Sequence, residues 1–174
     1  MGDVFLEQIV KKKDMMNDIL IKCAILFVGL LLLFGSGILF LMSNSTFAPF
    51  SILLVAGTIY FTWYFISGLN LEFEYIYTNG EIDIDKISAK RKRKRMTTVR
   101  ISSFEEFEKF DLEKYRTQKY DVVYNASICV LDDSDYYAVY RDRDGRKCIL
   151  IFSPNERLLD AIHTQYRRRS YGNV

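Results

Sequence analysis

From Cys23 to Met42 the chain runs for twenty residues without a charged side chain, and from Phe47 to Leu69 for twenty-three more. At about 1.5 Å per residue, either stretch can cross a hydrocarbon layer about 30 Å thick as a helix. Ser43-Asn44-Ser45-Thr46 separates them. Four polar residues allow a tight turn and nothing longer, so two spans must run antiparallel as a hairpin. A cleaved leader peptide is the competing reading. It fails because the first apolar run is too long, starts late and is followed at once by a second.

Basic residues close to a membrane mark the side that stays cytoplasmic. Lys11, Lys12, Lys13 and Lys22 precede the first stretch, Lys90 to Arg95 follow the second, and the turn between them carries no charge. The expected arrangement is a two-span cell-membrane protein with both termini cytoplasmic. Trp63 and Tyr64 suit an interfacial aromatic belt at the cytoplasmic end of the second span. Lys22 is placed to snorkel toward the headgroups. Three regions follow: a cytoplasmic amphipathic segment over 1–22, a transmembrane hairpin over 23–69 with spans at 23–42 and 47–69, and a cytoplasmic domain over 70–174. In the first region Phe5, Leu6, Ile9 and Val10 recur at helical spacing among Glu7 and Lys11 to Lys13. Such a helix can lie in the headgroup plane or pack on the domain.

About 100 residues suffice to bury a core and fold independently. All but four of the 24 Lys and Arg, and all but four of the 22 Asp and Glu, lie beyond residue 70, so the domain is nearly neutral with its charges clustered. Cys23 falls in a span, and Cys129 and Cys148 are expected in a reducing cytosol. Three such cysteines do not make a disulfide framework.

Within the domain the pattern is strands first and a helix last. Leu71–Thr78 and Glu81–Ser88 flank Asn79-Gly80, a pair that accepts the positive φ of a tight hairpin turn. That register sets Tyr77 beside Ile82 and Tyr75 beside Ile84, with Phe73 continuing the row. Glu72, Glu74, Glu81, Asp83 and Asp85 fall on the other face with Ile76, giving a pair that is apolar inside and acidic outside. A third strand is expected within Lys94–Ile101. Ser103 and Glu106 form a capping-box pattern, from which a short helix with Phe104, Phe107 and Phe110 on one side is expected. Tyr120, Val122 and Tyr124 alternate as a strand, with Ile128–Leu131 as a candidate for another. Asp135–Arg141 and Arg146–Phe152 bracket a turn at Asp142–Gly145. Ser153-Pro154-Asn155-Glu156 then opens a helix, with Ser153 read as its N-cap, Leu158, Leu159, Ile162 and Tyr166 as its apolar stripe, and Arg167–Arg169 near its end.

Six or seven antiparallel strands closed by one amphipathic helix is the pleckstrin-homology (PH) layout. The expected fold class is therefore α+β: a transmembrane α-helical hairpin followed by a PH-like antiparallel β-barrel or sandwich capped by a C-terminal helix. The segments Glu72 to Arg95 and Tyr136 to Ile162, with their Thr-Asn-Gly-Glu and Phe-x-Pro-Asn-Glu-Arg motifs, resemble uncharacterised small membrane proteins of Gram-positive bacteria. Those proteins join two spans to a bacterial PH-like domain. The resemblance covers nearly the whole chain and implies fold and topology, but no activity.

Lys90, Arg91, Lys92, Arg93, Lys94 and Arg95 form the sharpest candidate site. The first strand leaves the membrane for roughly 25 Å at about 3.3 Å per residue, and the second strand returns. The run is thus expected back at membrane level, where each cation near an anionic leaflet contributes about 1 kcal/mol. The same cations can instead neutralise the acidic face of the hairpin, where Glu74 and Asp85 lie opposite one another. A strand through the run would alternate its side chains between faces, so both uses are compatible. Nucleic acid is not expected as a partner, because the domain's charge is balanced and its tyrosines fall at strand spacing.

Enzymatic signatures are missing from the sequence. His163 is the one histidine and borders the apolar stripe of the last helix. There is no glycine-rich phosphate loop and no metal-ligand spacing. Asp132, Asp133 and Asp135 read as an ordinary acidic turn, lacking the glycine and later Glu of a calcium loop. No catalytic residue, cofactor or metal is expected. The sequence points to a membrane-anchored binding or scaffolding module that contacts anionic headgroups and a protein partner or a second copy of itself. The alternative is a subunit of an oligomeric channel or transporter, since Gly29, Gly35, Gly37, Gly57 and Gly68 permit close helix contact. Against it, neither apolar stretch holds an ionisable residue of the kind that marks an ion pathway.

Overall fold

The computed structural model describes residues 4–42, 48–129 and 135–172. The chain forms two compact units, one made of 14–70 and the other of 1–13 together with 71–174. The expected turn at Ser43–Thr46 lies outside the described residues.

The smaller unit is a pair of helices, α1 (Met16–Met42) and α2 (Ala48–Gly68), both long and apolar enough to cross a membrane. They run antiparallel: Lys22 near the start of α1 donates to the Asn70 side chain just beyond α2, at 3.0 Å, and to Asp14 at 2.6 Å. Lys22 is thus bonded to protein groups at the mouth of the helix pair. Gly29 makes the helix contact close. A Cβ there would come within 2.6 Å of Thr62 Oγ1, whereas a Cβ on Gly35, Gly37, Gly57 or Gly68 would meet nothing. Few side chains of the pair are buried, and Leu30, Phe34, Leu41 and Leu53 are among the strongly exposed ones.

The larger unit holds two four-stranded sheets. The first, in order β1 (Phe5–Lys11), β2 (Leu71–Thr78), β3 (Glu81–Ser88) and β4 (Lys92–Arg100), is antiparallel throughout. β1 corrects the expectation of an N-terminal helix. Its apolar spacing fits either structure, and pairing with β2 decides in favour of the strand: Val10 is buried opposite Phe73, while Phe5 and Ile9 on the other face stay exposed. The Asn79-Gly80 turn forms as expected, with φ of 48° and 90°. It pairs Tyr77 with Ile82 and Tyr75 with Ile84, all buried.

The second sheet has the order β5 (Phe104–Lys109), β7 (Tyr136–Arg141), β8 (Lys147–Phe152), β6 (Val122–Ala126), and β6 runs parallel to β8. Among the described residues, seven strands lie beyond residue 70, as expected there, and β1 adds an eighth from the N-terminal segment; the pairing is not all antiparallel, and the two sheets do not close into a barrel. The expected helix over Phe104–Phe110 is a strand. A register shift between Phe104 and Glu106 returns Phe107 to the face of Phe104, so a bulge in a strand imitates helical spacing. Phe110 belongs to the opposite face. The hairpin of β7 and β8 forms as read. Ile128 and Cys129 form a bend after β6, and the rest of the candidate strand there lies outside the described residues.

The main core fills the space between the sheets with Phe73, Tyr75, Ile84, Phe104, Phe107, Leu150 and Phe152 among others. A smaller core of Phe110, Tyr137, Val139, Ile149 and Ile151 lies on the outer face of the second sheet under α3 (Leu112–Thr117), an element the sequence reading missed. Both faces of β8 are thus covered, which accounts for its unbroken apolar Cys148–Phe152. Asp111 caps α3, accepting from the amides of Glu113 and Lys114. The last helix, α4 (Glu156–Gly172), packs Leu158 and Ile162 fully into the main core, with Leu159 and Tyr166 partly buried beside them. Its N-cap is Asn155, whose Oδ1 accepts from Leu158 N–H at 2.9 Å. Ser153, expected there, instead serves Asp135 and Ile128 with its hydroxyl. The helix also runs past Arg169 to Gly172.

Candidate functional site: the basic strand

Strand pleating divides the basic run into two sets. Cross-strand partners share a face of the sheet, and successive residues alternate. Arg95 stands opposite Asp85, which stands opposite Glu74; Arg93 stands opposite Ile87 and Glu72. Both arginines therefore join the acidic face of the hairpin. Arg93 Nη2 lies 2.7 Å from Glu74 Oε1, and Arg95 Nη1 lies 2.8 Å from Asp83 Oδ1 while its Nε bonds Asp85 Oδ1. Thr98 completes the cluster by donating to Asp83 at 2.6 Å and accepting from Arg95 at 3.0 Å.

These pairs are lids over buried carboxylates. Glu74 is 1% exposed and Asp85 3%, whereas the arginines are about half exposed. The acidic-outside expectation is corrected to that extent: two of the five carboxylates are buried under guanidinium groups. Burial pushes the Glu74 carboxyl above the usual carboxylate range; Arg93 pulls it back, and the neighbouring Glu7 carboxyl adds to the rise. Glu74 Oε2 faces no donor among the described residues.

The lysines take the other face. Lys94 stands opposite Lys86, which stands opposite the buried Phe73, and Lys92 stands opposite Ser88 in the next inward-facing row. Lys92 and Lys94 are exposed and Lys86 is half-buried. None of the three has an ion-pair partner among the described residues. Two lysines directly opposite one another repel, so this row costs stability where the arginine row supplies it. Sequence reasoning missed Lys86, since finding it requires the β3–β4 register. Lys90 and Arg91 sit in the connecting turn, where Ala89 and Lys90 adopt φ of 54° and 56°. Positive φ costs a residue with a Cβ about 1–2 kcal/mol. The turn holds that strain twice.

A second lysine group converges on this end of the sheet. Lys11 pairs with Glu72 beside Ile87 and Arg93, and Lys12 and Lys13 continue beyond it. The Lys12 amide donates to Leu71 O at 3.0 Å. Lys11, Lys13, Lys86, Lys90, Lys92 and Lys94 therefore gather at the strand ends where the chain passes into and out of residues 14–70.

Other candidate groups are absorbed by packing. The His163 ring lies 5.2 Å from that of Phe107. Burial pushes the Cys148 thiol above its ordinary range, away from the thiolate character that reactive cysteines need. Among the described residues no three His, Cys, Asp or Glu side chains are grouped to hold a metal ion.

No curated protein and no solved structure matches this chain. A family model described as a bacterial PH-like domain matches residues 2–171, so the match takes in both β1 and the two apolar helices as well as the sheets and α4. By that extent, the chain belongs to the bacterial PH-like domain family DUF6106.

Proposed function

We propose that the chain is a membrane-anchored binding module that lays its lysine-bearing strand ends on an anionic leaflet. One observation carries the reading: lysines from β1, β3, β4 and the β3–β4 turn gather at the strand ends where the chain joins the apolar helices, and Lys86, Lys92 and Lys94 have no ion-pair partner among the described residues. Each Lys near such a leaflet contributes about 1 kcal/mol, and four or more give a useful clamp once the helices hold the domain within a Debye length of about 8 Å. Arg93 and Arg95 are withdrawn from this role by their carboxylates. The exposed apolar surface of α1 and α2 supports the anchor, because water would penalise side chains such as Phe34 and Leu41 that lipid accommodates. The channel-subunit reading gains nothing comparable: Gly29, the glycine at a tight helix contact, is already used within the hairpin against Thr62.

The orientation that this function requires, with the domain and both termini cytoplasmic, is open to cysteine labelling. Cys148 is buried and would report nothing; Lys119 is exposed. In a chain freed of Cys23 and Cys129, Ser45→Cys should react with an impermeant reagent on intact cells, and Lys119→Cys only after permeabilisation. The reverse pattern would put the lysines on the wrong leaflet and end the proposal.

A further inference from the structure

Among the described residues, the first sheet ends at β4 with no strand on its far side. Beside β4 opens a cavity of about 610 Å³ whose wall includes Thr97, Thr98, Val99 and Arg100. Successive strand residues point to opposite faces of a sheet. A cavity that touches four in a row must lie along the strand's edge, not over a face.

Backbone bonding decides which polar groups meet it. Ile101 N–H donates to Gly80 O at 2.9 Å. Val99 and Thr97 are in phase with Ile101, so their backbone groups turn toward β3. Thr98 and Arg100 are out of phase. The N–H and C=O of Thr98 and the N–H of Arg100 therefore face the cavity, while Arg100 C=O accepts from the Ser103 hydroxyl at 2.7 Å.

The opposite wall comprises Tyr124 of β6, itself an edge strand, and the turn between β7 and β8. Thr97 Oγ1 and Tyr140 OH, 2.8 Å apart, bridge the two sheets at this wall. Of the four arginines that line the cavity, Arg141 is committed to Glu105, and Arg146 to Asp142 and Asp144. Arg100 and Arg143 make no ion pair among the described residues, and Glu81, the remaining acid of the wall, is the cross-strand neighbour of Arg100.

We infer that this edge receives an extended acidic segment of a partner protein, which adds a strand to the first sheet. Thr98 and Arg100 supply the ladder bonds, and the guanidinium groups of Arg100 and Arg143 select carboxylates on the incoming segment. Thr97 to Arg100 spans about 10 Å, room for three or four residues of strand. A second copy of β4 is a poor occupant, because Lys92, Arg93, Lys94, Arg95 and Arg100 would meet their own like charges. The inference rests on the reading of the domain as a binding module, but not on its lysine–headgroup contact, so either can fail alone.

The test uses the full chain in zwitterionic nanodiscs and a fluorescent eight-residue peptide of alternating Glu and Val, followed by anisotropy. Saturable binding is expected, weakened at least tenfold by Arg100→Glu together with Arg143→Glu. Methylating the peptide nitrogens at alternate positions should abolish binding in one phase and spare it in the other, since β4 offers a single edge. Thr98→Pro removes an N–H that faces the cavity and no backbone bond to β3, but it also removes the hydroxyl that bonds Asp83 and Arg95. Thr98→Val loses the same hydroxyl and keeps the N–H, so the proline variant should bind more weakly than the valine variant. Should the proline variant unfold, the two methylated peptides still decide. Three results would overturn the inference: no saturable binding at millimolar peptide, equal affinity for both methylated forms, or displacement by inorganic phosphate at constant ionic strength, which would give the site to a small anion.

Discussion

At one edge of the first sheet, β1 sets Leu6, Gln8 and Val10 against the core; at the other, β4 sets a row of cations with little beneath it. Gln8 shows how far β1 is built in. Its Nε2 donates to Ser153 O at 3.0 Å and its Oε1 accepts from Asn155 N–H at 2.8 Å, binding the strand to the start of α4. β4 instead divides its side chains, with Arg93 and Arg95 covering buried carboxylates and Lys92 and Lys94 left exposed. The difference teaches that an edge strand is structural where its side chains reach the core or a buried charge. Where they reach neither, the same strand is available to a partner.

Removing β1 should have the largest effect. A chain of residues 71–174 alone lacks β1, whereas a chain in which a short turn replaces 14–70 keeps it, because Lys11 and Glu72 are already paired neighbours. In denaturant unfolding the first should be less stable than the second by about 3 kcal/mol or more, the burial of Val10 and part of Leu6 supplying most of that. Equal midpoints would reduce β1 to an ornament and erase the contrast between the edges.

Within β4 the contrast should reappear on a smaller scale. Arg95→Ala leaves the buried Asp85 without its guanidinium and should cost about 1–3 kcal/mol in the same assay. Lys94→Ala, one residue away, should change stability by less than about 0.5 kcal/mol, and relief of repulsion with Lys86 makes a slight gain the expected sign. Similar losses for both would mean that the lysines, too, are part of the fold.

What could be read in the sequence follows the same division between local and distant causes. The hairpin at Asn79-Gly80 is written in two adjacent residues and the β7–β8 hairpin in a short one, and both formed as expected. β1 was misread because its partner β2 lies across the whole apolar hairpin in sequence, and nothing in Phe5–Lys11 announces it. Phe104, Phe107 and Phe110 imitated a helix because a bulge is a property of pairing, not of composition. The basic run was plain, and so was its alternation between faces. Which face held buried acids, and that Lys86 and the end of β1 joined the lysines, depended on register between strands.

The lysines at this end of the sheet meet an anionic leaflet on this proposal, while Arg93 and Arg95 stay with their carboxylates. Amine modification read by mass spectrometry tests it on the intact chain, in nanodiscs of zwitterionic or anionic lipid, with exposed Lys119 as the internal reference. Modification of Lys90, Lys92 and Lys94 relative to Lys119 should fall several-fold in anionic nanodiscs at low salt. It should recover at about 1 M salt, where the screening length shrinks to about 3 Å. Equal modification in both lipids at every salt concentration would contradict the account.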